Sequence, residues 1–155
     1  MATAAGNMMS PACTQPRRLL SELREAHLAL LQAMAELDDL TRGPVPAKER
    51  VIDARWNISR GSLARRTLWS RIHACLVIRV IGAAADDLRK LQEADITLLR
   101  ASTAHVSAWR INDVMANWSG YREASAKIRW KMKAAISTEQ RLLYPLLTAA
   151  ASGRF

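Results

Sequence analysis

The stretch RRLLSELREAHLALLQAMAELDDL, residues 17–40, is the clearest indication of the fold class. Apolar or weakly polar residues recur in it at alternating spacings of three and four: Leu20, Leu23, His27, Leu30, Met34 and Leu37. This spacing is typical of the buried face of a helix in a bundle. The segment 43–46, Gly-Pro-Val-Pro, then predicts the end of the helix. Glycine suits the position after a helix, and proline cannot continue one.

Three further helical segments follow, at residues 47–81, 83–118 and 121–149. Gly82 separates the second segment from the third, and Ser119-Gly120 predicts a tight turn before the fourth. An alternative break at Asn112-Asp113 would end the third helix about two turns earlier. Four helices joined by short turns predict an all-α fold, an up-down-up-down four-helix bundle over residues 17–150. Residues 1–16 read as a disordered tail, and 151–155 as a second short tail.

Composition excludes several classes of protein. Half of the 155 residues are hydrophobic, enough for one domain with a real core. Six Gly and five Pro are few for a loop-rich β protein. Two cysteines cannot build a disulfide framework, which favours a reducing, cytoplasmic setting. No apolar run reaches the roughly 18 residues that span a bilayer, and the N-terminus lacks the features of a secretory signal.

The positive charge is concentrated in two places. The formal charge is +9, and residues 48–79 alone carry eight basic residues against two acidic ones. Residues 121–141 carry six against two. The candidate basic surface consists of Arg65, Arg66, Arg71, Lys127, Arg129, Lys131 and Lys133. It is either an ordinary solvated face or a surface for nucleic acid or an acidic partner, with Trp130 available for stacking.

A weak internal repeat indicates which residues share one level of the bundle. A shift of 78 residues superposes His27 on His105. At about 1.5 Å per residue, the two histidines then lie at similar heights. Neighbouring helices in such a bundle run in opposite directions, so residues equally far from a connecting turn lie at the same height. By this argument the helical turns 57–61 and 135–139 lie level with His105. We therefore expect one core layer that contains His27, His105 and Glu139.

Two short segments resemble the hemerythrin-like (HHE-type) four-helix bundle family. The segment 23–31, LREAHLALL, is similar to the family's first helix, in which a core histidine follows a leucine and a charged residue. The segment 139–147, EQRLLYPLL, is similar to the end of its His-x-x-x-Glu helix. The resemblance implies coverage of about residues 17–150 and a core that binds two iron ions through histidines and carboxylates.

Carried over by position, the resemblance implies an incomplete metal site. His27, His105 and Glu139 stand at ligand positions, whereas Asn57, Gly61 and Ala135 stand where ligands are lost. One interpretation keeps a single iron on the three remaining ligands, because two histidines and a carboxylate can hold Fe(II). The other has no metal, and Arg60 or Arg66 neutralises the buried Glu139.

No sequence motif of a hydrolase, nucleotide-binding loop or metalloprotease is present. The sequence therefore predicts a non-catalytic hemerythrin-like module without a cofactor, which binds a small ligand or a protein and is open to homo-oligomerisation. The first alternative is an iron-binding sensor or oxygen-handling protein that uses His27, His105 and Glu139. The second is a basic protein that binds nucleic acid or an acidic partner.

Overall fold

The computed structural model describes residues 15–155, which form α-helices joined by short non-helical segments and contain no strand. The predicted all-α class is confirmed for this part of the chain. The helices are α1 (Pro16–Arg42), α2 (Lys48–Leu76), α3 (Ala83–Ala108), α4 (Ile111–Ala116) and α5 (Trp118–Ala151). The expected tail over residues 1–16 falls mainly on residues 1–14, outside the described part, and Pro16 already begins α1.

The first connection matches the sequence-based prediction, and the second helix is shorter than predicted. The backbone N–H of Gly43 donates to the carbonyl of Leu40, where α1 ends. Helix α2 ends at Leu76, five residues before the predicted Ile81. Gly82 precedes α3 with a φ of 61°, a left-handed conformation that favours glycine and stops the preceding turn from continuing as a helix.

The predicted third helix, residues 83–118, is wrong for its last ten residues, 109–118. Helix α3 ends at Ala108, and Arg110 adopts an extended backbone with ψ of 156°. The break lets the Trp109 carbonyl accept a hydrogen bond of 2.6 Å from the Arg55 guanidinium. It also turns α4 inward, so that Val114 joins the core. Tertiary contacts therefore outweigh a helical pattern that is continuous in the sequence.

The predicted turn at Ser119-Gly120 is also wrong, because both residues lie in the first turn of α5. Asn117 caps this helix, since its side-chain oxygen accepts the backbone N–H of Gly120 at 3.0 Å. A side-chain acceptor at this position satisfies a donor that the helix itself leaves unpaired. The cap fixes the start of α5 at Trp118, three residues before the predicted Tyr121.

Helix α1 packs between α2 and α5, and α3 packs mainly on α5. Three apolar clusters follow one another along α1, represented by Leu23, then Leu30 and Met34, then Leu37. Buried Cys75 belongs to the first cluster. His27 lies between the first and second clusters. None of the helices in residues 15–155 combines the length and apolar character that a membrane crossing needs.

Candidate functional site

A buried histidine bridges two residues of α5. The Nε2 atom of His27 lies 2.7 Å from Oε2 of Glu139, and its Nδ1 atom lies 2.9 Å from the Tyr144 hydroxyl. His27 is 1% exposed and Glu139 is 5% exposed. The carboxylate can only accept, so we assign the His27 Nε2 as the donor. Two of the three predicted core-layer residues are thus brought together.

An arginine supplies the positive charge in this part of the core. Both terminal nitrogens of Arg65 donate to Oδ1 of Asp95, each at 2.8 Å. One of them also lies 3.3 Å from Oε1 of Glu139, and the Arg65 side chain is only 5% exposed. The expected neutralisation of Glu139 by Arg60 or Arg66 is therefore wrong, because those positions lie off the inner face of α2. The Arg60 guanidinium donates to the Asn57 side chain instead.

Each long helix contributes to one chain of polar contacts, His27–Glu139–Arg65–Asp95, which we call the core network. In residues 15–155 no buried side-chain nitrogen or oxygen lacks a hydrogen-bond partner. Burial raises the pKa of Asp95, and Arg65 opposes that rise while Glu139 adds to it. Burial likewise raises the pKa of the Tyr144 hydroxyl, which keeps it protonated at neutral pH. The network is therefore a compact set of paired charges inside an apolar core.

A groove of about 420 Å³ between α3 and α5 opens onto the core network. Its walls are largely apolar, from Leu91, Leu98, Ala101, Ala134, Ala135 and the exposed Trp130. Arg65, Asp95 and Glu139 line it too, with Lys131 also contributing. Both Arg65 bonds go to Oδ1 of Asp95, which leaves Oδ2 without a partner in the described residues. The groove therefore offers one carboxylate acceptor beside an apolar surface.

The structure does not bring His105 into the core network. Its ring stacks on Tyr121, with centroids 5.9 Å apart, and it lines another cavity, beside Arg55 and Arg129. The expected single layer is therefore wrong for His105. The expected height of His105 rested on a third helix that continues to Trp118, whereas α3 ends one turn after His105. This shorter helix places His105 level with the start of α5 and not with Glu139.

The expected metal-ligand set is not assembled. Among residues 15–155, no group of three or more His, Cys, Asp or Glu side chains could hold a metal ion. The donor chemistry agrees with this finding. Oε2 of Glu139 contacts His27 and Oε1 faces the Arg65 guanidinium, so a cationic side chain already occupies the position opposite the carboxylate. The residues present do not fit the metal centre that the resemblance implies.

The three positions of lost ligands have other roles. Asn57 accepts a hydrogen bond from Arg60, and Ala135 lines the groove. At Gly61, a Cβ atom would lie 3.3 Å from Cδ1 of Leu30, so the missing side chain permits close approach of α1 and α2. This approach, one turn before Arg65, allows a long guanidinium side chain to reach the centre of the core.

The predicted basic surface is smaller than the sequence suggested. Arg65 and Arg129 were expected on it, but both are 4% exposed. Arg129 pairs with Asp38, which also pairs with Lys133. Ion pairs also engage Arg71 with Glu22, and Lys127 with Glu123. Lys131 is exposed and Arg66 is half-buried.

Three residues of the site were missed by the sequence analysis, although the pattern contains a signal for each. Arg65 lies on the buried stripe of α2, four residues after Gly61 and three before Leu68. Asp95 fills the gap in the α3 stripe between Leu91 and Leu98. Tyr144 lies within the segment 139–147 that carried the resemblance. Charged or polar residues at core positions of a helical stripe are candidates for a buried network.

Comparison with known protein families, with curated proteins and with solved structures gives no match to this chain.

Proposed function

We propose that this chain is a non-catalytic, hemerythrin-like module in which the core network takes the place of a metal centre. In this proposal the four long helices form an up-down-up-down bundle and bind a small ligand in the groove between α3 and α5. The observation that carries it is the Arg65 guanidinium between the buried Glu139 and the half-buried Asp95. A guanidinium there places one permanent positive charge where the resemblance implies metal ions.

The groove defines the class of ligand. Its volume of about 420 Å³ lies in the range of small-molecule sites. Leucine, alanine and tryptophan side chains favour an apolar body, and Oδ2 of Asp95 favours a hydrogen-bond donor on it. Because Asp95 is ion-paired with Arg65 through Oδ1 alone, the donor for Oδ2 is best supplied by an ammonium or hydroxyl group on the ligand.

The experiment uses three matched probes that share one ring: benzylamine, toluene and benzoate. Binding is followed by isothermal titration and by fluorescence, with Trp130→Phe to assign the tryptophan signal. Benzylamine should bind most tightly and benzoate least. Ala135→Leu should abolish binding because the larger side chain fills the groove. Ala126→Leu, at an exposed position of the same helix, should leave binding unchanged.

Two results would overturn the proposal. One is the absence of saturable binding by all three probes. The other is equal binding by the chain and by Ala135→Leu, which would place the probes elsewhere. The Asp95→Asn variant tests the polar contact separately, since it should reduce the preference for benzylamine over toluene without blocking the groove.

The nucleic-acid alternative draws little support from the side chains. Four of the expected basic residues are in ion pairs on the protein, and Arg65 is buried in the core. Binding to nucleic acid through such a surface would fall steeply with added salt, because cationic side chains release counterions from the phosphates. We expect no such salt-dependent binding.

A further inference from the structure

A second cavity, of about 100 Å³, lies among α1, α2, α3 and α5. It shares no lining residue with the α3–α5 groove. Its polar side chains are Arg55, Ser59, Ser102, His105, Tyr121, Ser125 and Arg129, and its apolar ones are Leu37, Ile58, Val106, Ile128 and Met132. We call it the Arg55 cavity.

The Arg55 cavity carries positive charge and no acidic lining residue. The guanidinium of half-buried Arg55 donates to the Trp109 carbonyl and lies over the Tyr121 ring. No carboxylate in residues 15–155 forms an ion pair with it. Arg129 is paired with Asp38, but Lys133 shares that carboxylate. An uncompensated cation in a half-buried position is stabilised by a bound anion.

His105 is poised to respond to such an anion. Burial lowers its pKa, and the positive charges of Arg55 and Arg129 lower it further. The imidazole is therefore neutral at pH 7 and stacks on Tyr121. A bound anion would offset the two arginines and favour protonation. The hydroxyl groups of Ser59 and Ser102, on α2 and α3, add hydrogen-bond donors to the same cavity.

The volume and the lining residues of the Arg55 cavity limit the kind of anion that it can bind. Because one water molecule takes up about 30 Å³ of liquid, the cavity has room for about three waters. Five of its lining residues are apolar, which disfavours a compact, strongly hydrated dianion such as phosphate. We propose that the Arg55 cavity binds a short-chain monocarboxylate, with the carboxylate at Arg55 and a one- or two-carbon tail against Ile58 and Ile128.

The test uses sodium propionate, with sodium chloride at equal ionic strength as the reference. The chain has three histidines, so the ring signals of His105 can be assigned by NMR with a His105→Gln variant. Propionate should shift the His105 signals saturably and raise the pKa of His105. Arg55→Gln should weaken binding by about tenfold or more, because a charge-assisted hydrogen bond is lost. Arg50→Gln removes the same charge from an exposed position of α2 and should have no such effect.

Three results would overturn the inference: no saturable shift with propionate, equal binding in Arg55→Gln and Arg50→Gln, or tighter binding of inorganic phosphate than of propionate. Far-ultraviolet circular dichroism of each variant, compared with the unmutated chain, establishes that its helices are intact. Failure of this proposal would not count against ligand binding in the α3–α5 groove, because the two cavities share no lining residue and are tested with different probes.

Discussion

His27 and Glu139, 112 residues apart in the sequence, form a buried hydrogen bond of 2.7 Å. The contact joins α1 to α5 at the centre of the core. Each of the two residues has a further contact: the Tyr144 hydroxyl lies against the other ring nitrogen of His27, and Arg65 faces the other carboxylate oxygen of Glu139. Both ring nitrogens of His27 and both carboxylate oxygens of Glu139 therefore have partners, which makes removal of either side chain costly.

Loss of the central cation should be strongly destabilising. The Arg65→Met variant leaves the buried Glu139 and the half-buried Asp95 without their positive partner, at a cost of about 3–5 kcal/mol in the free energy of unfolding. Arg66→Met, next in the sequence and half-buried, should cost less than about 1 kcal/mol. Urea unfolding monitored by circular dichroism measures both. Similar losses in the two variants would contradict the central role of Arg65.

The hydrogen bond between His27 and Tyr144 can be tested with the chain's two tyrosines, with Tyr144 as the test position and Tyr121 as the control. Tyr144→Phe removes the hydroxyl 2.9 Å from Nδ1 of His27 and leaves that nitrogen unpaired in the core. We expect a loss of about 1–3 kcal/mol. Tyr121→Phe keeps the ring that packs against His105, Trp109 and Trp118, and should change stability by less than about 0.5 kcal/mol. Thermal and urea unfolding would both detect this difference, and its absence would count against the His27–Tyr144 bond.

Mild acid should destabilise the fold through His105. Burial and two arginines lower its folded-state pKa below the ordinary value of 6.5. A lowered pKa means that the folded state binds the proton less well than the unfolded chain does. The stability is therefore complete above about pH 6.5 and is lost as the pH falls through the folded-state pKa.

The His105→Gln variant isolates this effect. The decrease in the free energy of unfolding between pH 7.5 and 5.5 should be smaller in the variant than in the unmutated chain. His73→Gln, which changes a histidine outside both sites, should keep the full decrease. Asp38 does not confuse the result: although burial acts to raise its pKa, hydrogen bonds from Lys133 and Arg129 lower it overall, so it titrates in stronger acid. An unchanged pH profile in His105→Gln would refute the assignment.

Metal analysis tests the replacement of a metal centre by the core network. Protein from iron-supplemented medium should contain far less than one iron or zinc per chain, because both oxygens of Glu139 already have partners. Glu139→Gln should show the same low content. Near-stoichiometric metal that Glu139→Gln and His105→Gln both lose would instead support the three-ligand alternative.

The sequence was a good guide to local structure and to part of the site. The 3–4 spacing around His27 predicted α1, and the expected core layer included Glu139. His27 and Glu139 are both buried. The partners of Glu139 were harder to predict. Arg60, Arg65 and Arg66 lie within two turns of α2, and only the rotation of that helix against α1 decides which one reaches the core.

Helix content, the stop after α1 and the inward positions of His27 and Glu139 follow from the sequence alone, because side-chain periodicity, glycine and proline act over a few residues. Features that depend on contacts between distant parts of the chain were decided by the tertiary structure. It broke the 83–118 pattern at Trp109-Arg110, where a carbonyl meets Arg55, and it buried Arg65 between Asp95 and Glu139. It also moved His105 to the Arg55 cavity. Each outcome depends on contacts between residues far apart in the chain, whose energies exceed the small local preferences of the backbone.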